Sequence, residues 1–355
     1  LVGSEMCIRD RLNNFIREVL DGKATMKTLD IMEQTALSIM ESADCAIGYE
    51  AANMVYKGLI GYRDDYIEHI QNGRCTCTYN QPVPCVSLCP AHVDIPGYIA
   101  LVGEGRYADA IRLLRKDNPF PTTCGFICEH PCEARCRRNM VDDSINIRGL
   151  KRVAADFAGE VDPPQCAPST GKKIAILGGG PGGLSAAYYL QLMGHQTTVY
   201  EMLPKLGGML RYGIPSYKLE KDVLDAEIDV AKEMGVEIKT GIEVGKDVTI
   251  QQLRKQGYQA FYIAIGCSAG SLPDIKNINS QGVMTAIDYL HESNCGDTPF
   301  DGKVVVVGGG NVAIDASRVS SRNKASQVQQ FCLEQEVDMP ASNEEIAEAR
   351  EDGVT

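Results

Sequence analysis

Apolar positions from Leu12 to about Ile70 repeat at helical spacing. Leu12, Phe15, Ile16, Val19 and Leu20 share one face, and Leu29, Met32, Ala36, Ile39 and Met40 a second. Met54, Leu59, Tyr62, Tyr66 and Ile70 form a third stripe. Gly22 stops the first helix and Thr25–Thr28 open the next. The pattern predicts a small helical bundle with Cys45 in a turn.

Between 73 and 141 the periodicity breaks. Pro82, Pro84, Pro90, Pro96, Pro119, Pro121 and Pro131 exclude long helices and strands. One helix is expected, Tyr107–Leu114, with Ala108, Ile111 and Leu114 inward. The segment reads as poor in apolar core, so metal centres are expected to supply its cohesion. Residues 161–171 (VDPPQCAPSTG) read as a linker. Beyond it come short apolar strands, each followed by a Gly-rich turn and a helix: KIAIL at Lys173–Leu177, then KVVVV from Lys303. Two such units separated by a β-rich stretch predict two nested α/β domains.

Composition narrows the function classes. With 355 residues the chain holds two or three domains, and a net charge of −12 disfavours nucleic acid as a partner. No run reaches the roughly 18–20 apolar residues of a membrane span, and no export signal is visible. Fourteen cysteines then argue for metal or redox work in the cytoplasm rather than a disulfide framework. The chain opens on Leu1 and ends inside the second nucleotide unit, so it reads as a piece of a longer protein.

The first turn, Gly178-Gly179-Gly180-Pro181-Gly182-Gly183, contains GxGxxG between a strand and a helix. Its glycines let a pyrophosphate approach the helix N-terminus. Glu201, about 20 residues on, ends the next strand, where a carboxylate takes a ribose hydroxyl. Gly308-Gly309-Gly310-Asn311-Val312-Ala313 repeats the pattern, and the strand expected at Gln327–Leu333 leads to Glu334. A carboxylate there repels the 2′-phosphate of NADP, so NADH is expected over NADPH.

Eight cysteines crowd between 75 and 136: Cys75, Cys77, Cys85, Cys89, Cys124, Cys128, Cys132 and Cys136. Eight thiolates suit two four-thiolate [4Fe–4S] cubanes, and Cys85-x3-Cys89-Pro90 echoes the end of a ferredoxin run. Zinc also takes four thiolates, although its usual CxxC pairs are missing. Cys7, Cys166, Cys267, Cys295 and Cys332 stand alone and read as packing or surface thiols. No histidine pairs with a Ser or Cys at a nucleophile's spacing, which disfavours a hydrolase.

From Cys75 onward the chain resembles the small (β) subunit of glutamate synthase and its relatives. These include the N-terminal half of dihydropyrimidine dehydrogenase and the large subunit of NADH-dependent ferredoxin:NADP oxidoreductase. The words that carry it are CPAHVDIPGYI (89–99), NPFPTTCGFICEHPCEARCRR (118–138), INIRGLKRVAADF (145–157), ILGGGPGGLSAAYYL (176–190), GGMLRYGIPSYKL (207–219), GGGNVAIDASR (308–318) and DMPASNEEI (338–346). The resemblance implies two [4Fe–4S] clusters, FAD on the first Rossmann unit and NAD(P)H on the second. One cluster would take Cys75, Cys77, Cys85 and Cys136, and the other Cys89, Cys128 and Cys132. Some relatives place a Gln or Glu as the fourth ligand where this chain has Lys151, and Cys124 is the replacement candidate. Gly207, Gly208, Met209 and Leu210 match a flavin-proximal loop, and Ala264-Ile265-Gly266 the strand end where the chain leaves the FAD domain. The final FAD segment would lie past Thr355.

Residues 12–70 resemble the C-terminal iron–sulfur domain of the NADH-binding subunit of complex I, through VLDGKATMKTLDIMEQ, SADCAIG and YRDDYIEHI. The family's CxxCxxC is missing upstream, which leaves Cys45 an orphan ligand. The expected fold is therefore multidomain. A helical bundle (12–72) precedes an α-helical cysteine-rich iron–sulfur domain (73–160). A linker (161–171) leads to an α/β Rossmann-like FAD domain (172–300) and a truncated α/β NAD(P)-binding domain (301–355), with 1–11 unmatched. The expected activity is hydride transfer from NADH to FAD, with single electrons leaving through the clusters. The acceptor would be a partner such as ferredoxin, hydrogenase, formate dehydrogenase or the glutamate synthase large subunit. Service as a glutamate synthase input subunit, or as a non-catalytic scaffold, are the alternatives.

Overall fold

The computed structural model describes residues 2–43, 46–72, 83–296 and 302–355, and only the backbone of 2–9, 47 and 72. Cys45, Cys75 and Cys77 lie outside the described residues. The chain divides into two compact units, Leu1–Pro82 and Val83–Thr355. The cysteine-rich segment from Val83 onward thus belongs to one unit with both α/β parts.

The first unit is helical: Val2–Leu20, Met26–Ser42, Ala46–Gly61 and Arg63–Asn72. Thr25 and Thr28 form a capping box that opens the second helix, as the sequence predicts. Leu12, Leu29, Met32, Ala36 and Leu59 make its core. The third stripe differs from expectation, because the helix is interrupted at Tyr62, which is left 66% exposed. Met54 is exposed too, since Ala52, Val55 and Leu59 turn the other face of its helix inward. The first helix also begins well before Leu12, taking in the unmatched segment.

In the second unit the helices between 84 and 134 are short, as the prolines predict, and several of those prolines start them. Pro84, Pro96, Pro121 and Pro131 each stand in the first turn of a short helix: Pro84–Leu88, Ile95–Gly103, Pro121–Ile127 and Pro131–Ala134. Tyr107–Leu114 is helical as predicted, but Ala110 rather than Ala108 faces inward. These helices and Ile147–Phe157 enclose an apolar core of Val86, Val93, Ile95, Tyr98, Val102, Ile111, Leu114 and Ile147. The segment therefore has more core of its own than its composition suggested. Residues 161–171 are strapped down: Ala167 and Thr170 N–H donate to the Leu192 and Gly194 carbonyls, and Arg115 donates to the Val161 carbonyl.

Four parallel strands follow: β1 (Lys173–Leu177), β2 (Gln196–Glu201), β3 (Glu237–Thr240) and β4 (Ala260–Ile263), in the order β3-β2-β1-β4. β1 and β2 are almost wholly buried, as a parallel sheet covered by helices requires. The helix Pro181–Leu192 crosses from β1 to β2, which makes a βαβ unit. A second parallel pair, β5 (Lys303–Val307) and β6 (Gln327–Phe331), is joined by the helix Asn311–Arg322. Among the described residues no helix is long and apolar enough to cross a membrane.

Candidate functional site

Each α/β unit builds the same local device. Gly178, at φ +111°, turns the chain off β1 and donates its N–H to the Tyr200 carbonyl at 2.8 Å. A Cβ there would meet the Ala264 carbonyl oxygen at 2.2 Å, so only glycine fits against the end of β4. Buried Glu201 places one carboxylate oxygen on the Gly179 N–H (2.7 Å) and the other on the Leu203 N–H (2.8 Å). In the second unit Gly308 leaves β5, and the Glu334 carboxylate lies against the turn. A Cβ on Gly309 would come 3.1 Å from its Oε2, the same separation that a Cβ on Gly179 would have from Glu201 Oε2. The two acids that spacing singled out thus occupy matching places.

The helices that start at Pro181 and Asn311 follow Gly180 and Gly310 and, like those that start at Tyr107 and Lys221, have no side-chain cap. The dipole of a helix favours an anion at such an end. Pro181 and Gly182 are exposed at that end, Gly183 is buried, and in the second turn Val312 is exposed and Ala313 buried.

The loop Gly207–Leu210 docks on the first turn. Gly207 N–H donates to the Gly179 carbonyl (2.8 Å), and Gly208 at φ +51° packs on the Gly180 backbone. Lys221 holds this loop from behind by donating to the Leu210 (3.2 Å) and Ile214 (2.6 Å) carbonyls. Burial, with a smaller push from Arg211, lowers the Lys221 ammonium to about 8. Gly266 lies exposed beyond β4 with φ +69°.

The cysteines gather in part. Cys89, Cys128 and Cys132 line one small cavity with Tyr98, His130, Arg148 and Lys151. Cys124, one helical turn before Cys128, is not in that wall. Burial pushes its thiol up, against a hydrogen bond to Asn118 and the charge of Lys151. Cys132 is pushed up to about 11 by burial first and Cys128 next. Burial pushes the Cys85 thiol up, and Cys136 and Cys89 stand near enough to add to that push.

The cavity is held by contacts that motif reading missed. Glu133 accepts from the Arg148 N–H (2.8 Å), and Arg148 donates to the Cys128 carbonyl (3.1 Å), so the Cys128–Cys132 turn is fixed to the helix Ile147–Phe157. Gly125 lets that helix approach Pro121–Ile127, since a Cβ would meet the Arg152 backbone at 3.3 Å. No local spacing signals these pairs.

Two observations test whether the cavity suits an iron–sulfur cluster. Lys151 is only 7% exposed, and among the described residues no carboxylate pairs with it. A buried cation of this kind needs a negative neighbour. The described Cys, His, Asp and Glu residues form no group of three or more that would close on a single metal ion. The three thiols line one small cavity, and thiolates are the donor set by which iron–sulfur clusters are held.

A second, charged cleft of about 430 Å³ adjoins the first, and Arg148 lines both. Its walls include Asn311, Ser342, Tyr217, Lys218 and Arg318. Lys218 is clasped between Asp315 (2.6 Å) and Glu345, and Arg318 between Glu348 and Asp352. The Asn311 side chain donates to Glu129 (3.1 Å) and so ties the second turn to the cysteine-rich segment.

Comparison with known proteins matches this architecture. Residues 172–355 match the family described as pyridine nucleotide-disulphide oxidoreductase. Residues 61–162 match dihydropyrimidine dehydrogenase domain II, 4Fe-4S cluster, and 9–69 the NADH-ubiquinone oxidoreductase-F iron-sulfur binding region. The chain is 36% identical over 357 residues to the NADPH-Fe(3+) oxidoreductase subunit beta of Geobacter sulfurreducens, covering 97% of this chain and 53% of that protein. It is 39% identical to the NADP(+)-dependent formate dehydrogenase subunit beta of Moorella thermoacetica, over 76% of this chain and 42% of that one. The Escherichia coli K12 glutamate synthase [NADPH] small chain is 35% identical over 76% of this chain and 61% of its own length. The chain spans about half the length of these relatives.

Proposed function

The chain belongs to the pyridine nucleotide-disulphide oxidoreductases, and from that footing we propose that it passes electrons from NADH through FAD and two [4Fe–4S] clusters to a partner protein or subunit. The observation that carries this reading is the junction at Arg148, which lines both the three-thiol cavity and the cleft at the second Gly-rich turn.

FAD would lie on the Gly178–Gly183 turn, with Glu201 on its ribose, Gly207–Leu210 along the flavin and Gly266 beyond β4. The nicotinamide nucleotide would lie on Gly308–Ala313, with Glu334 at its ribose. Cys89, Cys128 and Cys132 would hold one cluster, and Cys85 and Cys136, with Cys75 and Cys77, the other. When bound, these groups supply hydride acceptance and its division into single electrons. The protein's own residues do simpler work. Open helix ends neutralise phosphate charge, the two glutamates orient ribose, and Lys221 fixes the flavin loop.

Glu334 favours NADH, because its carboxylate would repel a 2′-phosphate. NADPH is the second reading, favoured by the nucleotides in the names of the Geobacter and Moorella relatives. Those same names, and that of the glutamate synthase chain, support an electron-accepting partner subunit. Iron, acid-labile sulfide and flavin should be assayed in full-length protein purified without oxygen. About eight irons per two-cluster unit and one flavin support the reading, whereas zinc in place of iron would reduce the cysteine segment to a structural role.

A further inference from the structure

We infer that Lys151 is not a ligand but the fixed counter-charge of the cluster held by Cys89, Cys128 and Cys132, and that it raises that cluster's reduction potential relative to the same site without the cation. The inference rests on the reading that this cavity takes an iron–sulfur cluster.

Three basic groups line the cavity: Lys151, Arg148 and His130. Arg148 is engaged by the Cys128 carbonyl and by Glu344 (3.4 Å), and His130 by Glu133 (3.3 Å). Lys151 alone of the three has no acid partner among the described residues, although it is the most buried of them. A buried ammonium is retained where a negative group will face it. A cluster on three thiolates is such a group, and an electron added to it makes it one unit more negative. A fixed cation stabilises that reduced form more than the oxidised one, which moves the potential upward. An ammonium has no lone pair for iron, so the same charge that tunes the site bars Lys151 from ligation.

The test uses full-length protein purified without oxygen, as wild type, Lys151→Met and Lys151→Arg. Midpoint potentials of both clusters are read by EPR during dithionite titration, with iron and sulfide measured alongside. Lys151→Met should keep its iron and lower the potential of one cluster only, and Lys151→Arg should restore it. Equal potentials in all three proteins with full iron would overturn the inference and leave the wider reading intact. No iron in the wild type would instead sink that wider reading. Because the Met variant could fail to fold, wild type labelled with 15N-lysine supplies a second reading by pulsed EPR. Weak through-space coupling to a single lysine nitrogen supports the inference. Strong contact coupling would show ligation by a neutral amine and overturn it, as would no coupling at all.

Discussion

The Glu227 carboxylate accepts a hydrogen bond from the Thr123 backbone N–H at 2.8 Å, and its other oxygen takes the Thr122 N–H at 2.5 Å. Glu227 lies on the helix Lys221–Glu233 of the α/β part, whereas Thr122 and Thr123 open the helix that leads to Cys128. A side chain more than a hundred residues away thus caps the helix that positions a thiol. Glu227→Ala would leave the buried Thr123 N–H and the half-buried Thr122 N–H without their acceptor, at about 1–3 kcal/mol for the buried one. Denaturant unfolding should show a loss of that order, and a loss below about 0.5 kcal/mol would mean the cap is dispensable.

Lys221 makes stability depend on pH in an unusual direction. Its folded value is lowered to about 8 from an ordinary 10.5, so between those values the unfolded chain binds more protons. Its contribution should therefore grow as pH rises from about 8 to about 10.5. Thermal melts across that range should show the Lys221→Met variant losing this upward slope. Parallel slopes for the two proteins would contradict the assignment.

Gly178→Ala adds a Cβ where the Ala264 carbonyl already stands, on a backbone that side chains rarely adopt. The variant should purify with little or no flavin while its far-ultraviolet circular dichroism keeps the helical signal. Full flavin occupancy would show that the turn can relax.

Cys128 and Cys124 are one helical turn apart but differ in what they face. Cys128→Ala should drop iron from about eight to about four per two-cluster unit, whereas Cys124→Ala should keep it. Iron loss in both would return Cys124 to the ligand set.

Coenzyme choice is expected to follow Glu334. Replacing it by Gln removes the repulsion toward a 2′-phosphate. The kcat/KM ratio of NADPH to NADH should rise about tenfold, equivalent to roughly 1.4 kcal/mol. An unchanged ratio would assign discrimination to other residues.

What the sequence made legible was whatever local spacing encodes. The strands Lys173–Leu177 and Lys303, the turns after them, Glu201 and the helix Tyr107–Leu114 all follow from short-range pattern. Ile111 and Leu114 face inward as expected, but Ala110 takes the place of Ala108 because the two are equally apolar and packing against the helix Ile95–Gly103 decides between them. The apolar core around Tyr98 was missed because its members are spread over several short helices whose prolines begin them. Glu227, Glu133 and Arg148 were illegible for a different reason. Each acts through a partner at least 15 residues away, and a lone acid or arginine carries no signal of that partner. Lys151 stood out only as a departure from the family pattern, and its burial beside three thiols gives that departure a physical role.

The central claim is electron passage from nicotinamide to clusters within one chain. It is tested most directly by mixing full-length, cluster-replete protein with NADH under anaerobic conditions, freezing, and recording EPR. The account predicts flavin bleaching together with signals of reduced iron–sulfur clusters, in the absence of any other reductant. Bleached flavin with clusters that stay oxidised until dithionite is added would contradict it.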